Sequence, residues 1–227
     1  MKTEHTNAII AVEFPASCGQ KCPMCRTPDN AVGDHRKVAE IFWKTVGERP
    51  PREVYIVSSG ETGAAKDFEK TVAELLGRGI SVSVACAAPV SVVAGLTRVE
   101  VSATLHTIAS SYRAIEKAIG LGIPVTVSLV DDGIEDMDKS AAALREAFPE
   151  IRGCLVRAQQ HVGRARETCG ETRSTLFSEA PMGIWPVWAY VELAQFARPD
   201  TALTCFDRWG RLVPYVGGYV PSPSPKD

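Results

Sequence analysis

Short runs of alternating apolar residues in this chain give way, repeatedly, to stretches in which apolar residues recur every three to four positions. The β-branched run at 7–14, stopped by Pro15, predicts a strand. Val38, Ile41, Phe42 and Thr45 or Val46 then fall on one face of a helix predicted over 38–46. Further strands are expected over 53–58, 80–86, 98–105, 123–130 and 153–158, with helices over 64–76, 90–95, 110–121 and 137–148 between them. In the second of these helices Phe68, Val72 and Leu75 or Leu76 form the apolar stripe, and Gly77 or Gly79 stops it. Six alternations of strand and helix, with connections long enough to cross over, imply right-handed β-α-β units and a parallel sheet.

The strands carry a second pattern. Val82 and Val84, Val99 and Val101, and Val125, Val127 and Leu129 share one parity, while Ser81 and Ser83, Glu100, Ser102 and Thr104, and Thr126 and Ser128 share the other. A doubly wound sheet covered by helices on both faces reads almost continuously apolar. One greasy and one small, polar face fits a curled sheet with helices outside and a lumen too wide to fill with aliphatic layers. The expected fold is therefore α/β, a partial (β/α)6 TIM-like barrel with a polar interior. Past Gly163 the pattern weakens to helices over 171–179 and within 185–196, and a hairpin of 201–206 and 211–216 turned at Asp207-Arg208-Trp209-Gly210. The expected organisation is a barrel core over 1–165, an aromatic-rich C-terminal extension over 166–220 that closes the barrel mouth, and a flexible tail over 221–227.

Composition changes this picture little. A chain of 227 residues, 45% apolar and 23% charged, suits one folded domain. The formal charge of −2, with Arg157, Arg164 and Arg166 as the best basic cluster, disfavours nucleic acid as a partner. The first residues are too polar for a signal peptide, and no run approaches a membrane span, so no membrane partner and a cytoplasmic location are expected.

Cysteine usage matters more. Of seven cysteines, Cys18, Cys22 and Cys25 fall within eight residues at the end of the first strand, in a C-x3-C-x2-C spacing that suits metal ligation better than a disulfide framework. Three thiolates leave a cube of four irons and four sulfides one ligand short, so one iron stays open to another molecule. The competing reading is a zinc site completed by His35.

This spacing, with Met24 before the last cysteine, resembles the signature of the radical S-adenosylmethionine (SAM) superfamily, and three further segments resemble it in the right order. Ser59-Gly60-Glu61-Thr62, after the second strand, is similar to the family's Gly-Gly-Glu motif, which holds the methionine ammonium. Val101-Ser102-Ala103-Thr104 resembles the segment that binds ribose and carboxylate, with Ser102 first and Thr104 next. Arg157 and His161-Val162-Gly163-Arg164-Ala165 look like the Gly-Arg-Ala element near the adenine contacts. The resemblance implies a [4Fe-4S] cluster on the three cysteines, reductive cleavage of SAM, and a 5'-deoxyadenosyl radical that abstracts hydrogen from a small-molecule or short-peptide substrate. An external electron donor such as flavodoxin or ferredoxin is implied with it. A glycyl-radical-enzyme activase is the alternative within the class, and a metal- or cluster-binding protein without radical catalysis the alternative outside it.

The remaining candidates are weaker. Glu100 reads either as a lumen-facing carboxylate or as a strand-start residue paired with Arg98 or Arg152. Asp131 and Asp132 suit a polar substrate or an ordinary turn, and His106 and His161 read as supporting or surface histidines. The segment 203–216 resembles the start of a SPASM/twitch-type extension, but Tyr215 stands where a cysteine is typical and no cysteine follows. A second cluster on Cys154, Cys169 and Cys205 is disfavoured, such scattered cysteines reading rather as small buried hydrophobes. Cys205 and Cys169 are the candidate hydrogen-atom donors to a substrate radical.

Overall fold

The structure, a computed structural model, describes residues 6–22, 33–104, 107–131, 137–158 and 202–206. Its centre is a seven-stranded parallel sheet. The strands are β1 (Thr6–Phe14), β2 (Pro51–Ser58), β3 (Ser81–Cys86), β4 (Arg98–Ala103), β5 (Val125–Asp131), β6 (Gly153–Ala158) and β7 (Ala202–Phe206), in the order β6-β5-β4-β3-β2-β1-β7. Four helices cross between them: α1 (His35–Glu48), α2 (Phe68–Gly77), α3 (Ile108–Gly120) and α4 (Met137–Ala147). Among the described residues β6 and β7 are the open edges of the sheet, so the architecture is a partial TIM-like barrel, left open.

The parity read from the sequence is the parity of burial. Val54, Ile56, Val82, Val84, Val99, Val101, Val125 and Val127 pack with Phe42, Leu75, Ile115 and Leu144 of the helices in one continuous core. Each such side chain removed from water contributes about 1.5–3 kcal/mol, which is why a one-residue slip of any strand is strongly disfavoured. α1 shows how local chemistry frames the packing: Asp34 caps it by accepting from the Lys37 amide at 3.0 Å, and Val38, Phe42 and Val46 carry its buried face. On the opposite sheet face Ser81, Glu100, Ser102, Thr104 and Thr126 are half-buried and Ser83 and Ser128 are buried. The polar interior holds for β3, β4 and β5. On β1 and β2 that face instead carries buried Ile9, Ala11, Tyr55 and Val57, with Glu13 and Glu53 as charged residues among the described ones.

Three expectations change. The helix expected over 90–95 is a single 3-10 turn, Pro89–Ser91, after which Val92 and Leu96 plug the core from irregular chain. Pro89 opens a turn readily, but the connection is too short for an α-helix to repay its nucleation. The helix expected from 64 begins at Phe68, because Asp67 takes a left-handed φ of 58° after the 3-10 turn Thr62–Ala64. The strand expected over 201–206 as a hairpin arm is β7, which adds to the sheet parallel to β1, with Ala11 opposite Cys205. The second arm, 211–216, lies outside the described residues, as do the rest of 166–220 and the tail 221–227. Among the described residues no helix is long and apolar enough to cross a membrane.

Candidate functional site

Every strand of a parallel sheet delivers its following loop to the same edge, and the segments singled out in the sequence all follow strands. The cysteine-bearing stretch leaves β1, the Ser59-Gly60-Glu61-Thr62 turn leaves β2, Ser102 and Thr104 end β4, and Arg157 lies at the end of β6. Topology thus places them on one rim.

Two of these segments touch. The Ser59 hydroxyl accepts from the Ala16 amide at 3.1 Å, and the Ser59 amide donates to the Phe14 carbonyl at 3.2 Å. The Glu61 amide donates to the Ser17 carbonyl at 3.0 Å. A Cβ built on Gly60 would lie 2.5 Å from both the Ala16 and the Ser17 carbonyl oxygens, so only glycine lets the turn sit this close. Cys18, the next residue, is exposed and Cys22 is half-buried; neither is in a disulfide. Lys21 between them has a φ of 48°, a left-handed bend that turns the loop back towards Cys22. Cys25 lies outside the described residues, and among those residues no group of three His, Cys, Asp or Glu side chains comes together.

Closely spaced thiols such as Cys18 and Cys22 suit thiolate ligation of iron or of zinc. His35, the proposed fourth zinc ligand, sits against the Phe14 ring at 5.8 Å, and its Nε2 donates to the Lys66 carbonyl at 2.9 Å. That bond occupies Nε2 and leaves Nδ1 as the nitrogen a metal could use.

Glu61 turns inward. It is 8% exposed; one carboxylate oxygen accepts from the Ala87 amide at 3.0 Å and the other from the Ser91 hydroxyl. Burial raises its carboxyl above the ordinary 4.5, while hydrogen bonds from Ser91, Ala87 and Ala88 pull it back. A carboxyl whose folded value is raised holds its proton more tightly in the folded state. Its contribution to stability is therefore complete below 4.5 and is lost as pH rises through the raised value. Urea denaturation of metal-free protein is accordingly expected to show Glu61→Gln gaining stability relative to the native chain as pH climbs from 4.5.

At the end of β4 a small hydroxyl cluster fixes the backbone. Ser111 donates to the Ser102 carbonyl at 2.7 Å, and the Thr107 hydroxyl accepts from the Thr104 amide at 3.0 Å and lies 3.1 Å from the Thr104 hydroxyl. Thr107 and Ser111 are both buried, the former as the N-cap of α3. Ser102 itself is half-buried, and its hydroxyl makes no hydrogen bond among the described residues. Deeper in the lumen Glu100 accepts from Tyr55 at 2.9 Å, and Arg98 pairs with Glu53 at 2.8 Å with Ser83 bridging them. Glu100 is thus an inward-facing carboxylate one level below Ser102.

Cys205 lies in β7 beside Ala11. Cys169, Gly163, His106, His161 and Asp132 lie outside the described residues. Cys86 and Cys154 are buried, Cys154 as expected of a small hydrophobe; burial pushes the Cys154 thiol up to about 11. Sequence reasoning missed Ser91, Thr107 and Ser111. The Thr-x-x-Thr spacing of Thr104 and Thr107 ahead of a helix is visible in the sequence, whereas nothing in the run around Ser91 marks it.

No protein-family model matches the chain, and no curated protein matches it in sequence. Its fold is that of SuiB from Streptococcus suis, solved bound to the precursor peptide SuiA, with a TM-score of 0.62 at 12% identity over 94% of this chain. The chain spans 60% of the length of SuiB.

Proposed function

We propose that this protein is a radical SAM enzyme that acts on a small molecule or short peptide. The observation that carries this reading is the contact between the Cys18 stretch and the Ser59-Gly60-Glu61-Thr62 turn at the rim of a parallel, open barrel. Residues some 43 apart in sequence meet where the proposed chemistry needs them. The peptide half of the reading draws on SuiB, whose structure holds a precursor peptide.

In this reading Cys18, Cys22 and Cys25 hold a [4Fe-4S] cluster, which when bound supplies the electron that cleaves SAM to a 5'-deoxyadenosyl radical. Ser59 and Gly60 hold the cysteine stretch at a fixed height on the rim. Ser102 offers its uncommitted hydroxyl to the ribose or carboxylate of SAM, and Thr107 and Ser111, which donate to its backbone carbonyl, fix the backbone that carries it. Thr104, Arg157 and Gly163 complete the SAM site, and Cys205 or Cys169 is the candidate hydrogen donor. The half-buried polar face of β3, β4 and β5 gives the lumen its polar wall.

Anaerobic reconstitution tests the metal part: a brown protein with about four irons and four sulfides per chain is expected. A colourless protein holding one zinc would sink the proposal.

A further inference from the structure

We infer that Glu61 and Ser91 form an internal latch that fixes the backbone leading into Cys18, and that the Glu61 carboxylate works on the protein rather than on a bound ligand.

The argument is one of hydrogen-bond capacity. The Ser91 hydroxyl has a single proton, which it gives to Glu61, and its oxygen accepts the Gly63 amide at 2.6 Å. The Glu61 carboxylate also takes the amides of Ala87 and Ala88. With Ser91 at 0% and Glu61 at 8% exposure, little of either group faces solvent. The turn is wedged from both sides, since a Cβ on Gly63 would lie 2.6 Å from the Val90 backbone and the Thr62 hydroxyl donates to the Ala85 carbonyl. The loop after β3 therefore holds Glu61, and the Glu61 amide holds Ser17. Glu61 and Ser91 are positioning residues acting on the Cys18 arm through backbone.

Cys86 reports on this arrangement. It ends β3, is 6% exposed, and its thiol is held well above 9.0 by burial and then by the nearby Glu61 charge. Opening the latch bares it. In Ser91→Ala, which keeps the Glu61 charge, iodoacetamide at pH 8 is expected to alkylate Cys86 in metal-free protein about tenfold faster than in the native chain, as read by mass spectrometry. Cys154, 1% exposed in β6, stays protected and certifies the fold. The double variant Glu61→Ala/Ser91→Ala is expected to react no faster than Glu61→Ala alone. Should Ser91→Ala also bare Cys154, Ser91→Cys decides, because it keeps size and charge but donates weakly.

The second arm rests on the proposed function. Ser91→Ala and Glu61→Ala are expected to weaken SAM binding to reconstituted protein by similar factors, about tenfold each. Unchanged Cys86 protection in the serine variants overturns the latch. So does native SAM affinity in Ser91→Ala beside a large loss in Glu61→Ala, which would make the carboxylate a ligand group. If no variant and no native protein binds iron or SAM, the proposed function fails, while the Cys86 arm still decides the latch.

Discussion

Gly60→Ala is expected to cost about 2–3 kcal/mol of stability in metal-free protein and to prevent iron retention after reconstitution. A methyl group there would lie 2.5 Å from the carbonyl oxygens of Ala16 and Ser17, well inside van der Waals contact. Both neighbours are backbone, so neither can swing aside as a side chain would. The turn after β2 or the stretch before Cys18 must move, and the Glu61-to-Ser17 bond of 3.0 Å goes with it. Gly47→Ala is the matched control. It lies in α1 with nothing within 4 Å of an added methyl, and is expected to gain about 0.5–1 kcal/mol and keep its iron. Urea denaturation and iron analysis of the two variants measure both effects.

The second large effect is on the cluster itself. Each of Cys18→Ala, Cys22→Ala and Cys25→Ala is expected to reduce reconstituted iron from about four per chain to less than about one, since a cube with two protein thiolates is poorly held. Folding of metal-free protein should survive in Cys18→Ala, because Cys18 is exposed and free. His35→Ala should leave iron unchanged, since the proposed cluster takes only the three cysteines as ligands. Loss of bound metal in His35→Ala equal to that in Cys18→Ala would restore the zinc reading.

Much of this was legible because strand parity is a two-residue code. The valines of β3, β4 and β5 and the serines between them specify which face meets helices, and the structure buries them accordingly. Positions after strands were legible for the same reason, since a parallel sheet sends every loop to one rim. What the sequence could not tell was which partner each loop takes. The run 201–206 is apolar enough for either a hairpin or a sheet edge, and pairing with β1 is a long-range fact. Likewise Glu61 at a strand end reads as a carboxylate offered to a ligand, and only the fold reveals Ser91 and Ala87 already holding it. Its neighbour Ser102 reads the same in sequence, yet keeps its hydroxyl uncommitted among the described residues. Cys18 began as one ligand in a spacing; the fold adds that the backbone just before it is clamped by the turn that the same reasoning had singled out.

Product analysis under reducing, anaerobic conditions tests the central claim most directly. Reconstituted protein given SAM and a strong one-electron reductant is expected to release 5'-deoxyadenosine and methionine, and the Cys18→Ala variant to release neither. Intact SAM recovered from native protein that carries a full complement of about four irons would contradict it.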